Sequence, residues 1–146
     1  MEHRDEEIER VLQQALDDGN SVWVIGDIHG HRESFEALLS QLNLGDSDHV
    51  LCIGDLIDRG PDSFGVVELV RTSDRIHSII GNHEMIMQHA ILTEGGRRGF
   101  WLRVGGDETM VSIPCEGDEL EATAIELCEF FSTLPAEVIL RGHRIV

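Results

Sequence analysis

Lysine and tyrosine are both absent from this chain, and all 11 of its basic residues are arginine, set against 28 acidic ones for a formal net charge of -17. So large an acidic excess repels a nucleic-acid backbone and excludes a DNA or RNA partner bound through a broad basic face. No apolar run approaches the roughly 20 residues of a membrane-spanning helix, so no membrane partner is expected. The first ten residues, Met1 to Arg10, are dominated by charge and lack the apolar stretch of a secretory signal, so the expected location is cytoplasmic. Aromatic residues make up only 5% of the chain. Its three cysteines, Cys52, Cys115 and Cys128, form no CxxC pair and no zinc spacing, which leaves them as small apolar residues in a reducing compartment.

What is present is acidity and alternation. High acidity without lysine is the composition of a salt-adapted, halophilic protein, in which concentrated ions screen the self-repulsion. At 146 residues a single domain with its own core is expected. Ile8, Val11, Leu12, Ala15 and Leu16 fall at helical spacing, predicting an N-terminal helix at about residues 4–18. Short apolar runs at Val22 to Ile25, His49 to Ile53 and Ile76 to Ile80 predict strands. Between and after them, Arg32 to Leu42, Phe64 to Val70 and Met85 to Ile91 read as helices. Strand, helix, strand, helix, strand is the pattern of a parallel sheet wound by right-handed crossovers. Further on, Arg97 to Val104 reads as a short helix, Thr109 to Ile113 is polar and ambiguous, Glu119 to Phe131 is helical, and Val138 to Leu140 and Arg144 to Val146 read as strands.

Chemistry gathers where the three strands end. The first runs into Gly26-Asp27-Ile28-His29-Gly30, the second into Gly54-Asp55-Leu56-Ile57-Asp58-Arg59-Gly60, the third into Gly81-Asn82-His83-Glu84. Asp27 to Asp55 is 28 positions and Asp55 to Asn82 is 27, close to the roughly 30 residues of a beta-alpha-beta unit, so the clusters converge on one sheet edge. That carboxyl edge is where open α/β sheets bind ligands. Asp27 and His29, two apart in an extended segment, point the same way and suit a divalent transition ion. Asp55 has two oxygens with which to bridge two ions, and Asn82 offers a neutral amide oxygen. Taken singly, Asp27, Asp55 and Asp58 are turn or cap residues, Arg59 a surface partner and His83 a helix-start histidine. Three such clusters at matching positions of successive units argue for a site instead.

These three motifs resemble the N-terminal signatures of the phosphoprotein phosphatase branch of the calcineurin-like metallophosphoesterases, a resemblance running from about Val22 to Val146. The stretch Trp101-Leu102-Arg103-Val104-Gly105-Gly106-Asp107-Glu108-Thr109 is similar to the Trp, Gly-Gly and Thr segment of bacterial and bacteriophage-lambda-type serine/threonine phosphatases. Glu84 favours that branch over the symmetrical dinucleoside tetraphosphate hydrolases, which tend to have Asp there. The resemblance implies an α/β fold, the beta-alpha-beta-alpha-beta half of a metallophosphoesterase sandwich. It also implies two divalent ions, most simply manganese with iron or zinc as alternatives. Asp27 and His29 would hold the first ion, Asp55 would bridge, and Asn82 would hold the second and touch phosphate. A bridging water made acidic by both ions would attack phosphorus in line. Arg59 would grip the phosphate oxygens, and His83, oriented by Asp58, would protonate the leaving alkoxide. The substrate would be a phosphoprotein or a small phosphoester. His31 is read as a solvated helix-start residue.

Downstream, the family adds histidines from a Val-His-Ala-Gly-like strand and from a later segment. His143 precedes where that strand would begin, so it is expected in the turn before it and not as a ligand. The chain therefore reads as the N-terminal half of such a domain, a fragment or a shortened gene product, with low activity expected of it alone. A symmetrical dinucleoside tetraphosphate hydrolase and a non-catalytic metal-binding remnant are the alternative readings.

Overall fold

The structure, a computed structural model, describes residues 3–146. Helix α1 (Glu6–Asp17) starts where the Asp5 carboxylate accepts the backbone N–H groups of Glu7 and Ile8 at 3.0 and 3.1 Å, which satisfies donors that a helix start otherwise leaves open. Strand β1 (Val22–Ile25), helix α2 (Arg32–Leu42), strand β2 (His49–Cys52), helix α3 (Ser63–Arg71) and strand β3 (Ile76–Ser78) follow. All three strands are parallel in the order β1-β2-β3, with Trp23 opposite Val50 and Leu51 opposite His77.

Period-two alternation along β2 divides the core into two layers. Val50 and Cys52 face a cluster with Phe35, Val66, Val67, Met87, Trp101 and Phe131, built from α2, α3, α4 (Asn82–Leu92), α5 (Arg98–Trp101) and α7 (Gly117–Phe131). Leu51 faces the opposite way, onto Leu12 of α1, Ile79, and Val138 and Leu140 of strand β4 (Val138–Leu140). β4 pairs antiparallel with β5 (His143–Ile145). His143 therefore opens a strand, one residue earlier than expected, and is exposed. Burial pushes the Cys52 and Cys128 thiols up to about 12, which keeps them protonated and apolar in character, as the sequence reading anticipated.

Between α4 and α7 lie α5 (Arg98–Trp101), an irregular wide turn over Leu102–Gly106, and α6 (Asp107–Ser112). The polar stretch left ambiguous in the sequence is thus a helix with Thr109 turned inward and buried. Gly105 breaks the turn with φ 114°, in a region that L side chains rarely adopt. No helix among the described residues is long and apolar enough to cross a membrane.

Candidate active site

The loop after β1 and the loop after β2 are joined backbone to backbone. Ile28 and His29 N–H both donate to Asp55 O, at 3.1 and 2.9 Å, and Gly30 N–H donates to Leu56 O at 2.8 Å. A Cβ on Gly60 would lie 2.1 Å from His29 O, so only glycine permits this approach. Four residues expected in the chemistry, His29, Asp55, Asp58 and Arg59, have positive φ of 45°, 51°, 74° and 73°. For residues with a Cβ, left-handed backbone costs roughly 1–2 kcal/mol each.

The third loop is secured by a residue that the sequence reading used only to choose between family branches. Glu84 is fully buried. Its Oε2 accepts the N–H groups of Asp55 and Gly81 at 2.9 and 2.8 Å, and its Oε1 those of Leu56 and Ile57 at 2.7 and 3.4 Å. Burial pushes the Glu84 carboxyl above the ordinary carboxylate value, and the donors from Leu56, Asp55 and Gly81 offset only part of that rise. One carboxylate thereby ties the ends of β2 and β3 together. The same contact to the Gly81 N–H caps the start of α4, which opens at Asn82, three residues before the expected Met85. A Glu three positions after Gly81, ahead of an apolar helix, is the sequence signal that could have found it.

With the loops held in this way, His29, Asp55 and His83 each offer a ligand atom within 4.8 Å of the others. His29 Nδ1 lies 2.8 Å from Ile57 O, so Nδ1–H donates there and leaves Nε2 as the free nitrogen. The exposed Asp27 carboxylate reaches to 3.7 Å from that Nε2. Asp55 Oδ1 accepts the His83 N–H at 3.0 Å. Carboxylates together with imidazole nitrogens are the donor set of a borderline divalent ion, so these residues fit one. Asn82 stands exposed on the first turn of α4, and its amide makes no hydrogen bond among the described residues.

Asp58 and His83 form the other half of the site. His83 Nδ1 is 2.7 Å from Asp58 Oδ2. Asp58 is fully buried and accepts three further contacts: Trp101 Nε1–H at 3.1 and 3.0 Å to its two oxygens, and Thr109 Oγ1–H at 2.6 Å. The Trp, Gly-Gly and Thr stretch therefore has a physical role. Trp101 and Thr109 hold the Asp58 carboxylate, and a Cβ on Gly106 would sit 2.3 Å from the Trp101 indole. Gly105 O accepts the Arg59 N–H at 3.1 Å. The exposed Arg59 guanidinium lies over both imidazoles, with Nη1 at 3.3 Å from His29 Nε2 and Nη2 at 3.2 Å from His83 Nε2. Ion binding at His29 Nε2 would displace that first contact. His31 is exposed at the start of α2 and makes no side-chain cap there.

The profile of the family described as calcineurin-like phosphoesterase matches residues 21–145. Serine/threonine-protein phosphatase 2 of Escherichia coli (strain K12) is 39% identical over 87 residues, covering 59% of this chain and 38% of the relative. A symmetrical bis(5'-nucleosyl)-tetraphosphatase of Buchnera aphidicola subsp. Acyrthosiphon pisum is 36% identical over 85 residues, covering 56% of this chain and 31% of the relative. In fold, the chain is similar to a solved protein serine/threonine phosphatase from Saccharomyces cerevisiae, with a TM-score of 0.59 at 16% identity, over 93% of this chain and 42% of that one. The chain thus spans less than half the length of each of these proteins.

Proposed function

The chain belongs to the calcineurin-like phosphoesterase family, and from that premise we propose that it is the metal-binding half of a phosphomonoester hydrolase acting on serine/threonine phosphoproteins. The observation that carries this reading is the His83–Asp58 pair, buried under Trp101 and Thr109 and facing Arg59 beside His29 and Asp55. Asp27, His29, Asp55 and Asn82 would hold two divalent ions, and manganese suits their mixture of oxygen and imidazole donors. When bound, such ions supply an acidified water and neutralise phosphate charge.

The chain's own residues supply the rest. Arg59 offers a forked pair of N–H donors to phosphate oxygens. While it donates to His83 Nε2, His83 is held in the Nδ1–H form. Once the guanidinium turns to phosphate, Nε2 is free to carry a proton, and the buried Asp58 carboxylate stabilises the resulting imidazolium. His83 would then pass that proton to the leaving oxygen. Among the described residues the second ion has only Asp55 and Asn82 as ligands, so its affinity is expected to be low and turnover by this chain slow.

A symmetrical dinucleoside tetraphosphate hydrolase is the second reading, favoured by the tetraphosphatase among the relatives. Glu84, with its four N–H donors, stands for the first. The test is manganese-dependent hydrolysis of p-nitrophenyl phosphate, a phosphothreonine peptide and diadenosine tetraphosphate, beside a calorimetric manganese titration. The expected result is cleavage of both monoesters, a lower kcat in Asp58→Asn at unchanged metal content, and weaker manganese binding in Asp55→Asn. Preference for the tetraphosphate moves the assignment to the second reading. Manganese binding unchanged by Asp55→Asn, with no hydrolysis of any substrate, overturns both.

A further inference from the structure

A groove of about 430 Å³ leaves the site along α4, lined by Asn82, Met85, Ile86, His89, Arg97 and Phe100. Asn82, Met85, Ile86 and His89 are spaced i, i+3, i+4 and i+7, so they form one continuous stripe on the helix. Its floor is apolar and open, with Met85 55% and Phe100 42% exposed. The far end is basic. A Cβ on Gly96 would lie 2.2 Å from His89 O, which sets Arg97 beside the His89 end of α4.

Arg97 is also chemically idle. In a chain with 28 acidic residues, Arg4, Arg10, Arg32, Arg71 and Arg98 are each paired with a carboxylate. The exposed Arg97 guanidinium makes no ion pair or hydrogen bond among the described residues. A free cation at the end of an apolar trough, in a molecule of charge -17, is complementary to an occupant with an apolar group and a negative charge beyond its phosphate. Seven residues of helix rise about 10 Å. That distance corresponds to about three residues of extended peptide at roughly 3.3 Å each.

We propose that this groove receives the polypeptide flanking the phosphorylated residue. A large apolar side chain next to that residue lies on Met85, Ile86 and Phe100, and a carboxylate about three positions away pairs with Arg97. This inference rests on the phosphoprotein reading above. The groove would give the site a sequence preference that the phosphate contacts alone cannot give.

The test is fluorescence anisotropy of dye-labelled phosphothreonine heptapeptides with the full chain in manganese and high salt. One peptide series carries Leu adjacent and Glu three positions away, a second carries Gly at both, and a third pairs Leu with Arg, each in both chain directions. Wild type is expected to bind the Leu/Glu peptide about tenfold tighter than the Gly/Gly peptide. Phe100→Ala should lose that margin. Arg97→Glu should reverse the preference between the Glu and Arg peptides. Both positions are exposed, and circular dichroism checks that the variants fold. Equal affinity for all three peptides, or an unchanged preference in both variants, overturns the proposal. So does displacement of peptide by diadenosine tetraphosphate at lower concentration with the same dependence on Phe100 and Arg97, which makes the groove a nucleotide site. If the unphosphorylated Leu/Glu peptide binds as tightly and Arg97→Glu still reverses the charge preference, the groove stands and the phosphatase reading falls.

Discussion

Replacing Glu84 with Gln keeps its volume and removes one acceptor. The carboxylate serves two N–H groups on each oxygen, so an amide turned either way aims its own NH2 group at backbone donors. The less costly orientation puts the nitrogen in place of Oε1 and strands the Leu56 N–H, whose contact is 2.7 Å, along with the longer contact to Ile57. A hydrogen bond to a charged group is worth about 1.5–3 kcal/mol, and a buried unsatisfied donor costs about 1–3 kcal/mol. Relief from burying a charge offsets part of this. A net loss of about 3 kcal/mol is expected, and at roughly 2–4 °C per kcal/mol the melting temperature should fall by about 6–12 °C. Glu84→Asp keeps the charge but withdraws it from all four donors by the length of one methylene group, and should also melt early. Thermal unfolding followed by circular dichroism at fixed high salt is the assay. A Glu84→Gln protein melting within about 2 °C of wild type would refute the claim that this carboxylate joins the two strand ends.

Arg59→Ala should weaken orthophosphate binding about tenfold while manganese content is unchanged, since arginine donates hydrogen bonds and ligates no cation; loss of metal together with phosphate, measured by calorimetry, would contradict the assigned role. The formal charge of -17 should make the melting temperature climb as the screening length shrinks from about 30 Å at 0.01 M salt to about 3 Å at 1 M; a flat profile removes the halophilic reading. His49 Nδ1 and His77 Nε2 lie 3.1 Å apart across β2 and β3, and both pKa values are lowered, chiefly by burial. The unfolded chain therefore takes up protons first, so the contribution of this pair is present above the ordinary histidine value of about 6.5 and is lost as pH falls through the lowered folded values. Melts between pH 7.5 and 5.5 should fall less steeply in a His49→Gln, His77→Gln double variant, and parallel curves would exclude the pair as the cause.

Much of the parallel sheet was legible because it is local. β1 and α2 lie where the apolar period put them, and the spacing of Asp27, Asp55 and Asn82 brought three loops to one edge. Boundaries failed where a distant partner sets them. α4 begins early because Glu84 caps it through Gly81. α6 looked polar because Thr109 is spent on Asp58, 51 residues away in sequence. Of the metal-ligand candidates, the structure gathers His29 and Asp55 together with His83 and brings Asp27 beside His29, while Asn82 stands exposed on the first turn of α4. The role of Trp101 could not be read from period or spacing, since it fills hydrogen-bond sites on Asp58, 43 residues away in sequence; for Glu84 only the contact to Gly81 was legible, while those to Asp55, Leu56 and Ile57 lie 27 to 29 residues away.

The left-handed backbone at His29, Asp55, Asp58 and Arg59 also bears on how this loop system would age under neutral mutation. At each position glycine would relax the chain, and asparagine would do so in part. Thermodynamics alone therefore favours erasing the very side chains that the proposed chemistry needs. A descendant freed from catalysis should drift towards glycine or asparagine at these four places while keeping Gly30, Gly60 and Gly106, whose Cβ atoms have no room whatever the lineage does. Replacement of these four side chains by glycine or asparagine in a related sequence would thus be the expected trace of relaxed demand on the proposed chemistry, written in torsion angles.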